Sequence, residues 1–272
     1  MSRILDKDTQ LCMSLSGRPG NTGTRFHNFL YDELGLNFVY KAFTTTDLPA
    51  AIGGVRALGI RGCAISMPFK EASIALVDQM DASASAIQSI NTLVNEGGRL
   101  HAYNTDYIAI ATLLKTHAVP VDSVFALRGS GGMAKAVACA LRDAGFRSGF
   151  IVARNADAGQ ALARTTGFEW RADMDGIAAA ILINVTPIGM AGGPESEQLA
   201  FAPAQIDRAD IVFDVVALPP QTPLIRHARN AGKRVITGAE VMTLQAVEQF
   251  VLYTGIRPSA EQIARAAAFA AA

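Results

Sequence analysis

Residues 123–136 read Ser-Val-Phe-Ala-Leu-Arg-Gly-Ser-Gly-Gly-Met-Ala-Lys-Ala, and this stretch decides the fold. Residues 123–128 have the apolar run of a buried strand, and residues 133–144 have the character of a helix. The small residues between them let the backbone turn sharply and approach a pyrophosphate. The free N–H groups and positive dipole end of the helix add to the attraction. A Gly-x-Gly-Gly-x-x-x-Ala spacing is a weak signal alone, because a tight strand–helix turn can show it. Placed between a strand and a helix, it predicts a dinucleotide site built on Gly129, Ser130, Gly131, Gly132 and Met133. Arg128 is unexpected at the end of an otherwise apolar strand. It either faces the phosphates or pairs with an acidic neighbour, and the sequence leaves both open.

The next strand, residues 149–153, ends in Ala153-Arg154-Asn155. An NAD site usually carries a carboxylate there for the ribose 2′-hydroxyl. Without one, Arg154 is predicted to hold the 2′-phosphate of NADP; a solvated surface arginine is the plainer reading. Apolar runs at 180–185, 211–216 and 234–237 continue a parallel set. Upstream, strands are predicted at 11–14, 37–43 and 62–66, with helices at 25–34 and 47–58 and another starting at Pro68. Residues 90–95 and 99–103 flank Glu96-Gly97-Gly98 as a hairpin. Residues 240–253 read as a helix, and Ser259 with Gln262 forms a capping box before a tail helix over 260–271. Alternating strands and helices define an α/β protein: an N-terminal α/β domain followed by a Rossmann-type domain with a parallel sheet.

Composition narrows the class further. The 272 residues suit two modest domains, and 50% hydrophobic against 18% charged residues excludes disorder over most of the length. Lys plus Arg and Asp plus Glu both total 24, so no global basic field exists to hold nucleic acid or an anionic membrane. No apolar run approaches the roughly 18–20 residues of a membrane span. The polar start MSRILDKDTQ and three scattered cysteines, Cys12, Cys63 and Cys139, predict a cytoplasmic protein with no disulfide framework and no metal site.

The candidate chemistry lies at predicted element ends. Ser66-Met67-Pro68-Phe69-Lys70 follows a strand, Asn91-Thr92 lies in the hairpin, and Asn104-Thr105-Asp106 closes the first half. Each alone suits a surface lysine or a turn amide bonding its own backbone. Together they supply a cation, a carboxylate and amides for a polyhydroxylated small molecule.

With Ser14-Leu15-Ser16, 66–70, 89–93, 104–106, 129–136, 184–190 and 237–255 in order, the chain resembles the shikimate dehydrogenase family. The resemblance implies reversible reduction of 3-dehydroshikimate to shikimate with NADPH. It implies a substrate domain over 1–106, completed by 239–272, and an NADP domain over 107–238. Lys70 and Asp106 resemble the family's catalytic pair: Lys70 exchanges a proton with the reacting oxygen and Asp106 orients it. Ser14 and Ser16 resemble the carboxylate ligands. Ser66, Asn91 and Gln245 resemble further substrate ligands, and Val215 and Gly238 match positions near the nicotinamide. The chain departs from the family pattern in several places. The serine motif is stretched before His27-Asn28, adding a loop with Arg18, Asn21 and Thr24. Ala217 stands where tyrosine is common, Ala158 lacks a second basic residue, and Glu240 replaces a glycine. These features resemble the shikimate-dehydrogenase-like branch, so the alternative readings are an enzyme of that kind acting on quinate or another cyclic hydroxy acid and, from another class, a non-catalytic ligand-binding regulator. A monomer or homodimer is expected.

Overall fold

A computed structural model describes residues 5–85 and 87–271. The chain divides into two compact units: one runs to Thr105 and resumes at Thr243, and the other is Asp106–Met242.

The first unit contains β1 (Gln10–Leu15), α1 (Thr22–Glu33), β2 (Phe38–Phe43), α2 (Leu48–Ala57) and β3 (Gly62–Ile65). It continues with β4 (Gln79–Met80), α3 (Ala82–Ser85), β5 (Thr92–Glu96) and β6 (Arg99–Tyr103). The sheet order is β2-β1-β3-β5-β6-β4, parallel through β2, β1 and β3 and antiparallel from β3 to β5 and from β5 to β6. Neighbouring residues along a strand point to opposite faces. Met13 and Leu93 therefore enter one apolar cluster, and Cys12 and Val94 enter another, so both faces are covered. Asp47 caps α2 by accepting from Ala50 N at 3.0 Å, a contact worth about 1 kcal/mol. The hairpin turns on Gly97 and Gly98, at φ 59° and 88°, with Glu96 opposite Arg99. That two-residue turn needs positive φ at both positions.

The second unit begins within α4 (Thr105–Thr116) and continues through β7 (Phe125–Arg128), α5 (Gly132–Ala144), β8 (Gly149–Val152), α6 (Ala156–Thr166) and β9 (Glu169–Arg171). Then come β10 (Ile181–Asn184), α7 (Pro203–Arg208), β11 (Ile211–Asp214), α8 (Pro223–Asn230) and β12 (Arg234–Thr237). Its sheet runs β12-β11-β10-β7-β8-β9 and is parallel throughout. This is the doubly wound order, and its switch point lies between β7 and β10. From there α9 (Gly238–Thr254) leads the chain back into the first unit, where α10 (Ala260–Ala271) ends it. The capping box forms as expected: Ser259 N donates to Gln262 Oε1 and Gln262 N donates to Ser259 Oγ.

Two local expectations are corrected. No α-helix starts at Pro68. Phe69 N bonds to the Ser66 carbonyl and Ser73 N to the Phe69 carbonyl, so the segment spends its bonds in successive turns before a short 3-10 helix at Ile74–Leu76. The stretched serine segment is also not wholly loop. Its second half, from Thr22, is the first turn of α1, with Asn21 at the N-cap position. Among the described residues, no helix is long and apolar enough to cross a membrane.

Candidate functional site

In the second unit, a cavity of about 550 Å³ opens at the C-terminal ends of β7, β8 and β9 and beyond β10. Its walls include Arg128, Gly129, Ser130, Arg154, Asn155 and Thr186. This is where a doubly wound sheet takes its ligand. Gly129 has φ +128°, and a Cβ there would come within 2.7 Å of Val185 Cγ2, so the turn requires glycine. A Cβ on Gly131 or Gly132 would meet no protein atom within 4 Å, which leaves the space above the turn open. No side chain caps the start of α5, so its first N–H groups are free for an anion. These features fit a dinucleotide pyrophosphate.

At the end of β8, Arg154 is exposed, and Asn155 caps α6 by accepting from Ala158 N at 3.0 Å. Trp170 Nε1 donates to the Ala153 carbonyl at 3.2 Å, pinning the peptide that carries Arg154. Arg128 donates to the Ala200 carbonyl. Burial first, and the neighbouring Arg154 second, push the Arg128 guanidinium below its usual pKa, while Glu195 opposes them. Val215 and Gly238 lie elsewhere in this unit. A Cβ on Gly238 would sit 2.4 Å from the Val215 oxygen, so only glycine lets α9 begin there. Glu240 accepts from Thr237 N at 2.8 Å and Thr237 Oγ1 at 2.7 Å, and it meets His117 Nε2 at 2.9 Å. Burial raises its pKa, but these bonds outweigh burial and hold it below the ordinary carboxylate range.

In the first unit, adjacent strands bring several predicted residues to one edge of the sheet. Ser66 N donates to the Leu15 carbonyl at 2.9 Å, and Ile65 N donates to the Asn91 carbonyl at 2.7 Å. Ser14, Ser16, Ser66 and Asn91 thus share that edge. Ser16 Oγ accepts from Arg18 N at 3.1 Å, and the Ser14 hydroxyl bonds with Tyr40. Asn91 is fully buried. Its Oδ1 accepts from Thr105 N at 2.8 Å, Thr92 Oγ1 at 2.8 Å and Thr105 Oγ1 at 3.1 Å. Those donors fix the amide orientation, and Nδ2 has no partner among the described residues. Asn104 behaves differently, donating its amide to the Ser89 carbonyl at 2.9 Å. Lys70 is half-buried in the turn after β3, and Asp106 is buried in the first turn of α4, where the second unit starts.

Gln245 is half-buried on α9. One turn further on, Gln249 is buried and donates to Thr92 Oγ1 at 3.1 Å. Sequence reasoning missed Gln249; its i+4 spacing from Gln245 was the available signal. His27 stacks on Tyr40 with ring centroids 4.4 Å apart, and burial pushes its pKa down to about 3. Asn28 ties α1 to β2 from mid-helix, donating to the Tyr40 carbonyl and accepting from the Tyr40 N–H.

A parallel sheet in doubly wound order, with a glycine turn and arginines around its switch-point cavity, defines the second unit as Rossmann-type and dinucleotide-binding. Comparison with known proteins agrees. A model of the shikimate dehydrogenase substrate binding domain matches residues 22–93. The chain is 57% identical over 267 residues to a shikimate dehydrogenase-like protein of Haemophilus influenzae, covering 98% of both. It matches shikimate 5-dehydrogenase of Thermus thermophilus, solved with NADP(H) and shikimate, at TM-score 0.85 and 28% identity over 96% of this chain and 99% of that one. Quinate dehydrogenase of Corynebacterium glutamicum, solved with NAD, matches at TM-score 0.86 and 25% identity over 96% and 98%. The chain belongs to the shikimate dehydrogenase family.

Proposed function

We propose that the chain is an NADP-dependent oxidoreductase that reversibly reduces 3-dehydroshikimate to shikimate. The first unit binds substrate and the second binds the dinucleotide. The observation that carries this reading is Asn91: a buried amide whose oxygen is saturated by protein donors and whose N–H₂ is left for a ligand acceptor. An unmade bond at such a buried donor costs about 1–3 kcal/mol, and a substrate hydroxyl would satisfy it. NADPH, when bound, supplies the hydride. Lys70 Nζ gives a proton to the oxygen of the reduced carbonyl and takes it back in the reverse direction. Asp106 orients Lys70 and accepts from a substrate hydroxyl. Ser14 and Ser16 bind the substrate carboxylate, with Ser66 and Gln245 as further ligands. Gly129–Met133 cradle the pyrophosphate, Arg154 holds the 2′-phosphate, and Val215 and Gly238 border the nicotinamide.

The test is NADPH- and NADH-linked turnover of shikimate and quinate in both directions, with Lys70→Ala as control. The variant is expected to lower turnover by roughly 10²–10⁴. Near-normal turnover would remove Lys70 from the mechanism. A second reading, oxidation of quinate or another cyclic hydroxy acid, is favoured by Ala217, the lengthened segment before α1 and the similarity to quinate dehydrogenase. Fast quinate turnover with slow shikimate turnover would establish it. Shikimate binding with no hydride transfer would favour a regulator.

A further inference from the structure

We propose that Arg128 is the second cation for the 2′-phosphate of NADP, acting beside Arg154. This rests on the NADP reading above and deepens it. A phosphate monoester carries about −1.5 to −2 charge near neutral pH, more than one guanidinium neutralises. The first turn of α6 beside Arg154 supplies no cation and contains Asp157. Arg128 is on the neighbouring strand, in register with Val152, two residues before Arg154. Both arginines line the same cavity. Among the described residues neither makes an ion pair, and the hydrogen bond recorded for Arg128 uses one Nη1 donor on the Ala200 carbonyl.

Two like charges gathered at one cavity wall without a paired carboxylate repel each other. Burial first, and this repulsion second, hold the Arg128 guanidinium below its usual pKa, with Glu195 opposing them. A dianion bound by both arginines relieves the repulsion, and Arg forks suit phosphate geometry. Asp173 also lines the cavity, with Oδ1 accepting from Asp175 N at 2.9 Å. A carboxylate there suits a neutral ribose hydroxyl, so the comparison of phosphorylated with unphosphorylated ligands is the decisive one.

The experiment measures dissociation constants by NADPH and NADH fluorescence and by competition with 2′,5′-ADP and 5′-AMP. The proteins are wild type, Arg128→Gln, Arg128→Lys, Arg154→Gln and the double glutamine variant. Arg128→Gln is expected to weaken NADPH and 2′,5′-ADP by about 5- to 30-fold and NADH and 5′-AMP by less than about twofold. Arg128→Lys recovers part of the loss. The double variant loses less than the product of the two single losses, because one phosphate is shared. Equal weakening of all four ligands would assign Arg128 to the adenine, the pyrophosphate or the fold, and would overturn the proposal. So would an unaltered phosphate preference. If the glutamine variant fails to fold, Arg128→Lys carries the test, and a phosphate preference equal to wild type or lost along with NADH binding overturns the proposal. A wild-type protein with no preference for NADPH removes the NADP reading itself; a normal wild-type preference that only Arg154→Gln abolishes removes Arg128 alone.

Discussion

Replacing Asn91 by Ala separates two roles held by one side chain. Asn91 Oδ1 accepts from the Thr105 backbone N–H and from the Thr92 and Thr105 hydroxyls. The hydroxyls can rotate, but the backbone N–H cannot, and Thr105 is fully buried. Stranding that N–H costs about 1–3 kcal/mol, and the emptied side-chain volume adds about 1 kcal/mol more. Arg128, Lys70 and the cofactor turn are untouched, so the loss belongs to the first unit's sheet edge. Urea unfolding should show a lower midpoint with unchanged slope, giving about 2–4 kcal/mol of lost stability. The same variant also removes the Nδ2 donor, so KM for shikimate should rise by about 3- to 10-fold from one missing hydrogen bond. Asn91→Asp keeps an acceptor for Thr105 and removes the Nδ2 donor, at the added cost of a carboxyl whose ionisation burial disfavours, so it is compared at low pH where the carboxyl is neutral. It should recover much of the stability while KM stays high. Stability of Asn91→Ala within about 0.5 kcal/mol of wild type would refute the reasoning, because the amide would then not be anchoring Thr105.

Other expectations follow from single contacts. Burial raises the Asp214 carboxyl from 3.8 to about 6, against bonds from Thr222, Val216 and Asn184. A folded pKa above the unfolded one contributes stability that is complete below about pH 4 and is lost as pH rises through about 6. Relative to Asp214→Asn, wild type should therefore lose on the order of 2–3 kcal/mol between pH 4 and 7, and a flat difference in urea unfolding across that range would contradict it. Gly62→Ala should destabilise by about 1–3 kcal/mol or more, since its Cβ would lie 2.2 Å from Tyr253 Cδ1; a thermal melt matching wild type would show that the ring moves freely. Arg154→Ala should raise KM for NADPH by about 10- to 100-fold and leave KM for NADH nearly unchanged, whereas equal effects would detach Arg154 from the phosphate.

The parts legible in the sequence are those that depend on local chemistry. Gly97-Gly98 can form a two-residue turn with positive φ, and residues 123–144 show an apolar strand, small residues and a helix in succession. Caps at Asp47, Asn155 and Ser259 are equally local. Pro68 shows the limit: a proline permits a helix start but does not compel one, and the backbone bonds here went to turns. Long-range polar partnerships were invisible. Gln249 meets Thr92 across 157 positions and Trp170 reaches Ala153 across 17. Periodicity says which face such a residue occupies, not which donor waits there. Asn91 and Asn104 make the point sharply. They are the same residue type at neighbouring strand ends, yet the Asn104 amide donates to the Ser89 carbonyl while Asn91 Nδ2 has no partner among the described residues.

Asp214 explains how the second unit holds its loops in place. Its Oδ1 accepts from Asn184 Nδ2 at 2.9 Å and Val216 N at 3.1 Å, and its Oδ2 accepts from Thr222 Oγ1 at 2.6 Å. Asn184 in turn takes Thr186 N and Oγ1, so the cavity-lining Thr186 hangs from the same cluster. Thr222 also caps α8 by accepting from Ile225 N. One buried carboxyl thus joins the chain after β10, the chain after β11 and the start of a helix. Ionising it in that environment is unfavourable, which is why its pKa rises, and an apolar residue of similar volume would relieve that cost. It would also release three loop or cap contacts at once. Burying Asp214 therefore makes sense as a device for specifying loop geometry at some expense in stability. The same trade is seen at Asn91, where saturating one amide oxygen leaves a fixed donor at the sheet edge.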